Sequence, residues 1–320
     1  MQTDTPALYK DFSAFLSTYL DGKVQKISVD AGFTCPNRDG TKGVGGCIYC
    51  NNRTFSPDYC AGQSGVTEQL REGMRFFARK YPDMRYLAYF QAYTNTYAPL
   101  EKLRRLYEEA LAVEAVAGIV VGTRPDCVDE RLLDYLSELA EQTFVLVEYG
   151  VETANDATLR RIGRGHDFAC AVAAIRQTAR RGVHVGAHLL FGLPGESRAD
   201  MLRTAECVAT LPLETLKLHQ LQIVRGSRLA AAYLENPASI PLFTPEAYVA
   251  LCCDVLERLS PEIAVERFTA QAPADLLIAP VWGMKNYAFT ELVKHELRQR
   301  GSRQGSRFRP NKETFHTHYI

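Results

Sequence analysis

The chain has 320 residues, 46% of them apolar and 23% charged, and its 37 basic and 37 acidic side chains give a formal net charge of zero. That length supports one large domain or two smaller ones, and neutrality argues against a general nucleic-acid binder. Nine cysteines, an odd number, exclude a disulfide scaffold at this size.

The predicted elements alternate along the chain. A helix is expected over 9–20 and a strand over 24–29, followed by a glycine-rich loop over 31–65. Helical spacing returns over 66–80, where Leu70, Met74 and Phe77 share a face. Strand–helix pairs follow: 85–90 with 100–113, 117–121 with 129–140, 144–148 with 168–181, 183–191 with 199–211, and 215–222 with 228–234. Runs such as Ile119-Val120-Val121 and Phe144-Val145-Leu146-Val147 suit parallel strands covered on both faces. Right-handed crossovers curl six such units into an α/β fold, a partial (βα)6 barrel of the TIM type, with its mouth at the strand C-termini. Residues 1–235 would form the barrel. Residues 236–320 form an α/β appendage over it, with helices over 245–259 and 286–300 and a weaker strand over 263–268. No run of about 18 apolar residues offers a membrane span. Met1-Gln2-Thr3-Asp4-Thr5 lacks the pattern of a secretory signal, so a cytoplasmic location is expected.

A structureless loop as long as 31–65 calls for a functional reason. It carries Cys35, Cys47 and Cys50 in the spacing C-x11-C-x2-C, directly after the first strand, and five glycines between Gly32 and Gly46 let its backbone wrap closely. A cubane cluster takes four ligands, so three thiolates leave one iron open. An open iron can chelate the amino and carboxylate groups of S-adenosylmethionine, whose reductive cleavage yields a 5′-deoxyadenosyl radical. The alternative is a structural zinc site completed by Cys60 or a histidine, although a second C-x2-C pair is missing.

Several segments resemble the YhcC/YtqA-type family of Elongator-like radical SAM proteins. They are Gly32-Phe-Thr-Cys35-Pro-Asn-Arg-Asp-Gly-Thr, the Cys47-Ile-Tyr-Cys50 motif, Tyr86-Leu-Ala-Tyr-Phe-Gln-Ala-Tyr-Thr-Asn-Thr and Val121-Gly-Thr-Arg-Pro-Asp-Cys127. Gly163-Arg-Gly-His-Asp-Phe-Ala-Cys170, Phe191-Gly-Leu-Pro-Gly-Glu196 and Leu216-Lys-Leu-His-Gln-Leu complete the set, from about residue 24 to about 290. The resemblance implies a radical SAM barrel with a 4Fe-4S cluster on the three cysteines and S-adenosylmethionine across the strand C-termini. It places Tyr49 near the adenine and Gln91-Ala92-Tyr93 where relatives carry Gly-Gly-Glu, without that motif's glycines. Glu148 and Glu152 follow strand four, and Arg164 is the expected partner of the cofactor carboxylate, matching it as a fork. Glu152 stands where a Gln is expected, and its competing role is a salt bridge to a nearby arginine such as Arg160. His188 falls near the ribose, Gly192-Leu-Pro-Gly195 shapes the turn at the adenine, and His219 faces either the barrel or its shell.

On the substrate side, Arg124 and Asp126 either meet substrate or pair with each other, and Cys127 and Cys170 either act as thiols or simply pack. Lys217 either neutralises an anion at the barrel mouth or caps the sheet edge. From Lys285 to Lys312 eight basic residues face only Glu291 and Glu296, and with Tyr287, Phe289, Phe308, Phe315 and Tyr319 they suit an RNA-facing appendage. The resemblance to Elongator implies a tRNA substrate modified at C5 of the wobble uridine, with flavodoxin or ferredoxin as electron donor. A small-molecule or peptide substrate, or a zinc-stabilised RNA-binding module, are the alternatives.

Overall fold

Apolar β-branched runs bounded by turn residues become the strands, and amphipathic segments with polar N-caps become the helices. A computed structural model of the chain describes residues 7–60, 65–78 and 84–310. In chain order the elements are α1 (Phe12–Leu16), β1 (Lys23–Val29), α2 (Val66–Ala78), β2 (Met84–Phe90), α3 (Leu100–Leu111), β3 (Val116–Thr123), α4 (Glu130–Ala140), β4 (Phe144–Glu152), α5 (Asp156–Arg161), α6 (Phe168–Arg180), β5 (His184–Phe191), α7 (Arg198–Val208), β6 (Thr215–Gln220), β7 (Ile223–Val224), α8 (Arg228–Glu235), α9 (Pro245–Arg258), β8 (Ala264–Arg267), β9 (Leu277–Ala279) and α10 (Asn286–Gln299). Helix starts are fixed by side chains: Asp129 accepts from Leu132 N, Asp167 from Cys170 N, and Ser197 with Asp200 forms a capping box.

The main sheet has the order β1-β2-β3-β4-β5-β6-β8 and all its pairings are parallel. The expected partial barrel is present, and it gains a seventh strand from beyond residue 236. β8 pairs with β6 through Thr215–Ala264 and Leu216–Val265, covering an edge that would otherwise stay open. The sheet curls far enough that Lys26 on the first strand meets Glu266 on the last at 2.5 Å. The first helix is shorter than its sequence pattern, because the chain ahead of Asp11 runs extended beside β8, where Val265 N donates to the carbonyl of Lys10 at 2.8 Å.

Alternation along the strands separates two faces. Ile27, Val121, Val147 and Leu189 point outward and pack with Leu70, Leu136 and Ile175 of the covering helices, all essentially inaccessible. Lys26, Glu148, His188 and Lys217 lie on the same strands among these apolar positions. α10 buries Phe289, Val293 and Leu297, with the Phe289 ring stacked on Trp282 at 5.7 Å. Phe289 is therefore a core residue, not an RNA-facing aromatic, because it falls on the apolar stripe of an amphipathic helix. Lys312, Phe315 and Tyr319 lie outside the described residues. Among the described residues no helix is long and apolar enough to cross a membrane.

Candidate functional site

The cysteine loop is held at its edges by distant backbone. Ile48 N donates to the carbonyl of Ile162 at 3.0 Å, Leu229 N to that of Ile48 at 2.8 Å, and Arg228 Nη2 to that of Gly46 at 2.6 Å. Asn37 Nδ2 reaches the carbonyls of Gly163 at 2.8 Å and Arg164 at 2.9 Å, so the loop after β4 is tied to the cysteine loop. Gly46 has φ 84, and a Cβ there would meet the Arg38 guanidinium at 2.9 Å.

Cys35, Cys47 and Cys50 share the wall of a cavity of about 120 Å³ with Arg38, Tyr49, Asn52, Tyr93, Arg124, Glu152 and Arg164. N–H donors point at two of the sulfurs: Asn37 Nδ2 lies 3.5 Å and Arg164 Nη1 3.8 Å from Cys47 Sγ, and Asn52 Nδ2 lies 3.6 Å from Cys50 Sγ. Burial, and then the neighbouring Cys47, push the Cys50 thiol up to about 11. A cationic metal centre bound there displaces that proton. Arg124 Nη1 and Arg164 Nε are buried without a partner. Unpaired buried N–H groups beside three thiols need an acceptor-rich, anionic occupant, and a sulfide cluster with a carboxylate-bearing cofactor meets that need. Among the described residues no three His, Cys, Asp or Glu side chains are grouped to hold a single metal ion.

A larger cavity of about 430 Å³ adjoins the first and shares Tyr49, Cys50, Gln91, Glu152 and His188 with it. Its far side carries His219, Gln220, Gln222, Arg267 and the 270–273 loop. His188 and His219 stack at 5.5 Å, and burial lowers both pKa values, so neither imidazole carries a proton charge at neutral pH. Arg267 Nη2 approaches His219 Nε2 at 3.4 Å.

Beneath the cavities lies a closed set of charges. Glu148 accepts from Lys26 at 2.7 Å, Lys217 at 2.6 Å and His188 Nε2 at 2.9 Å, and Lys217 also meets Glu266 at 3.2 Å and the Tyr89 hydroxyl at 2.9 Å. Burial alone would raise the Glu148 pKa, but Lys217 and Lys26 outweigh it and hold the carboxyl well below its usual range. A neutral His188 facing an ionised Glu148 must carry its hydrogen on Nε2, which leaves Nδ1 as an acceptor.

The structure brings Cys35, Cys47, Cys50, Tyr49, Gln91, Tyr93, Arg124, Glu148, Glu152, Arg164, His188 and His219 to these two walls. Asp126, Cys127, Ala92 and Gly192 lie behind them. Asp126 grips Arg124 through Nε at 2.9 Å and Nη2 at 2.8 Å, so the ion pair foreseen as an alternative is formed. The Cys127 thiol is pushed up to about 12 by burial and then by Asp126. Gly192 backs onto Phe243 and Leu221. Glu152 pairs with Arg164 at 3.5 Å rather than with Arg160, because the turn after β4 folds 164 back over 150–152, and Arg164 Nη2 also donates to the Gly150 carbonyl at 2.6 Å. Tyr93 and Glu152 hold left-handed backbone, φ 66 each, without being glycine. Lys217 sits inside the barrel and not at a sheet edge. The residues sequence reasoning missed are Asn37, Arg38, Lys26, Glu266 and Arg267. A signal was available for Lys217, a lone charge between Leu216 and Leu218 inside a buried strand, but not for Lys26, which shares a partly exposed strand with Lys23 and Gln25.

A family model described as Radical SAM superfamily matches residues 35–208, and one described as Radical_SAM C-terminal domain matches residues 213–299. The chain is 37% identical over 307 residues to YtqA of Bacillus subtilis (strain 168), covering 96% of this chain and 94% of that one. It is 40% identical over 272 residues to YhcC of Escherichia coli (strain K12), covering 85% and 86%. Among solved structures, the archaeal Methanocaldococcus infernus Elp3 with an N-terminal deletion shares the fold at a TM-score of 0.67 and 16% identity, covering 88% of this chain and 64% of that chain.

Proposed function

The chain belongs to the radical SAM superfamily, whose cofactors are a 4Fe-4S cluster and S-adenosylmethionine, and on that premise we propose that Cys35, Cys47 and Cys50 are the cluster ligands. The observation that carries this reading is the shared wall: three thiols, N–H donors on two of them, and two buried guanidinium N–H groups with no partner. When bound, the cluster supplies one electron that cleaves S-adenosylmethionine to the 5′-deoxyadenosyl radical, which removes a hydrogen atom from substrate. The protein's part is to hold and orient. Arg164 offers its free Nε to the cofactor carboxylate while Gly150 and Glu152 hold the neighbouring Nη2 and so fix the plane of the guanidinium. Tyr49 closes the boundary between the two cavities, and His188 Nδ1 is set by Glu148 to accept a hydroxyl such as a ribose 2′-OH or 3′-OH. The larger cavity then receives the nucleoside end and the substrate atom that loses hydrogen.

For the substrate we infer tRNA, at the C5 side chain of the wobble uridine. The reading rests on the resemblance to Elongator. The exposed Lys285, Tyr287, Arg298, Arg303 and Arg309, on α10 and to either side of it, support it as groups that can meet phosphate and base. A flavodoxin or ferredoxin is the class of donor suited to delivering the single electron. Anaerobic reconstitution tests the chemistry: about four irons per chain, and 5′-deoxyadenosine on reduction with S-adenosylmethionine. Nucleoside mass spectrometry of tRNA from a deletion strain tests the substrate, and an unchanged wobble-uridine profile rejects it.

A further inference from the structure

Three guanidinium groups reach the wall that carries the three thiols. Arg38 Nη2 donates to the carbonyl of Cys50 at 2.9 Å, Arg164 Nη1 lies 3.8 Å from Cys47 Sγ, and Arg124 lines the same wall as Cys35. Arg124 is 2% exposed and is held from behind. Asp126 takes its Nε and Nη2, and Lys42 of the cysteine loop donates to the same carboxylate at 2.5 Å. That grip leaves Nη1 as the free edge, buried and without a partner, on the cavity wall. Gly165 packs tightly against the gripped side, where a Cβ would sit 3.3 Å from Arg124 Nη2 and 2.8 Å from Asn37 Oδ1.

The charges do not cancel. Lys42 and Arg124 share one carboxylate, Asp126, while Arg164 has Glu152 and Arg38 has no carboxylate partner among its contacts. Three guanidinium groups on the wall therefore face two carboxylates, one of them shared with the exposed Lys42, and positive charge is in excess around the three thiols. A group bound by three thiolates is anionic and gains another negative charge on reduction. Nearby positive charge and N–H donors to sulfur make that step more favourable. We propose that Arg38, Arg124 and Arg164 form a ring of guanidinium groups that raises the reduction potential of the bound cluster, with Arg124 aimed at it by Asp126 and Lys42. The inference rests on the reading of Cys35, Cys47 and Cys50 as ligands.

The test is a potentiometric titration of the anaerobically reconstituted full chain without S-adenosylmethionine, followed by electron paramagnetic resonance. In Arg124→Gln the midpoint falls by at least the ~59 mV that corresponds to a tenfold lower reduced-to-oxidised ratio for a one-electron couple. Arg124→Lys keeps the charge and recovers most of that shift. Iron and sulfide content stay at the unsubstituted level in both. A fully loaded Arg124→Gln protein with an unmoved midpoint overturns the inference and leaves Arg124 as a strut for the loop. Equal shifts in the Gln and Lys variants overturn the charge argument. A native chain that takes up no four-iron group overturns the reading of the site itself, before any variant is compared.

Discussion

Two polar regions, one on the strands and one on the loops that follow strands, are built on opposite rules. In the barrel interior Lys26, Glu148, Lys217 and Glu266 pair with one another, and Glu148 is 1% exposed with three donors on it. At the thiol wall Arg124 and Arg164 are buried as well, and each keeps an N–H with no acceptor. The first region is complete without a ligand. The second is complete only with one, which is why chemistry belongs to the wall and rigidity to the interior.

Changes on the two sides should therefore part company. Cys47→Ala has the largest expected effect: 5′-deoxyadenosine formation falls to background and iron content drops, while urea unfolding of the metal-free chain moves by only about 1 kcal/mol. Retained cluster and turnover in that variant would erase the contrast. Glu148→Ala strikes the complete region and leaves the buried Lys26 and Lys217 with Glu266 as their one remaining carboxylate. The expected loss is about 3–5 kcal/mol in the same unfolding measurement, and a loss below about 1 kcal/mol would mean that the network is not closed.

How much of this contrast was legible in the sequence follows from range. The C-x11-C-x2-C spacing, the strand order and the apolar runs are local patterns, so the partial barrel could be read directly and the three cysteines could be singled out. The Glu148 network could not, because it joins β1, β4, β6 and β8 across as many as 240 residues, and only the curl of the sheet makes them neighbours. β8 was read as part of an appendage because four residues carry no sign of which edge they will pair with. The basic stretch misled for a different reason: composition flags Phe289, whereas helical phase buries it.

Gly46→Ala sharpens the comparison from the wall side. Left-handed backbone costs a side chain about 1–2 kcal/mol, and the new Cβ displaces the Arg38 guanidinium from Cys50, so iron occupancy after reconstitution should fall more than stability does. The smallest effect concerns acid. Burial would raise the Asp126 pKa, but the hydrogen bonds and charge of Arg124, and then Lys42, bring it down to about 2. Its folded value lies below the unfolded one, so its contribution is fully present above about pH 4 and is lost as pH falls toward 2. Asp126→Asn should flatten that limb of a stability-versus-pH curve, and an unchanged slope would show that the pair contributes nothing there.

The contacts from Arg228 and Leu229 to Gly46 and Ile48 set an order of events in the making of the protein. One of them spans 182 residues. At roughly 5–20 residues per second on the ribosome, the cysteines wait about 10–40 s before the chain that anchors their loop exists. Through that interval the thiols are present without the frame that gives them their spacing. If the three cysteines hold the cluster as proposed, it is the finished barrel, rather than the nascent loop, that presents them in their final frame.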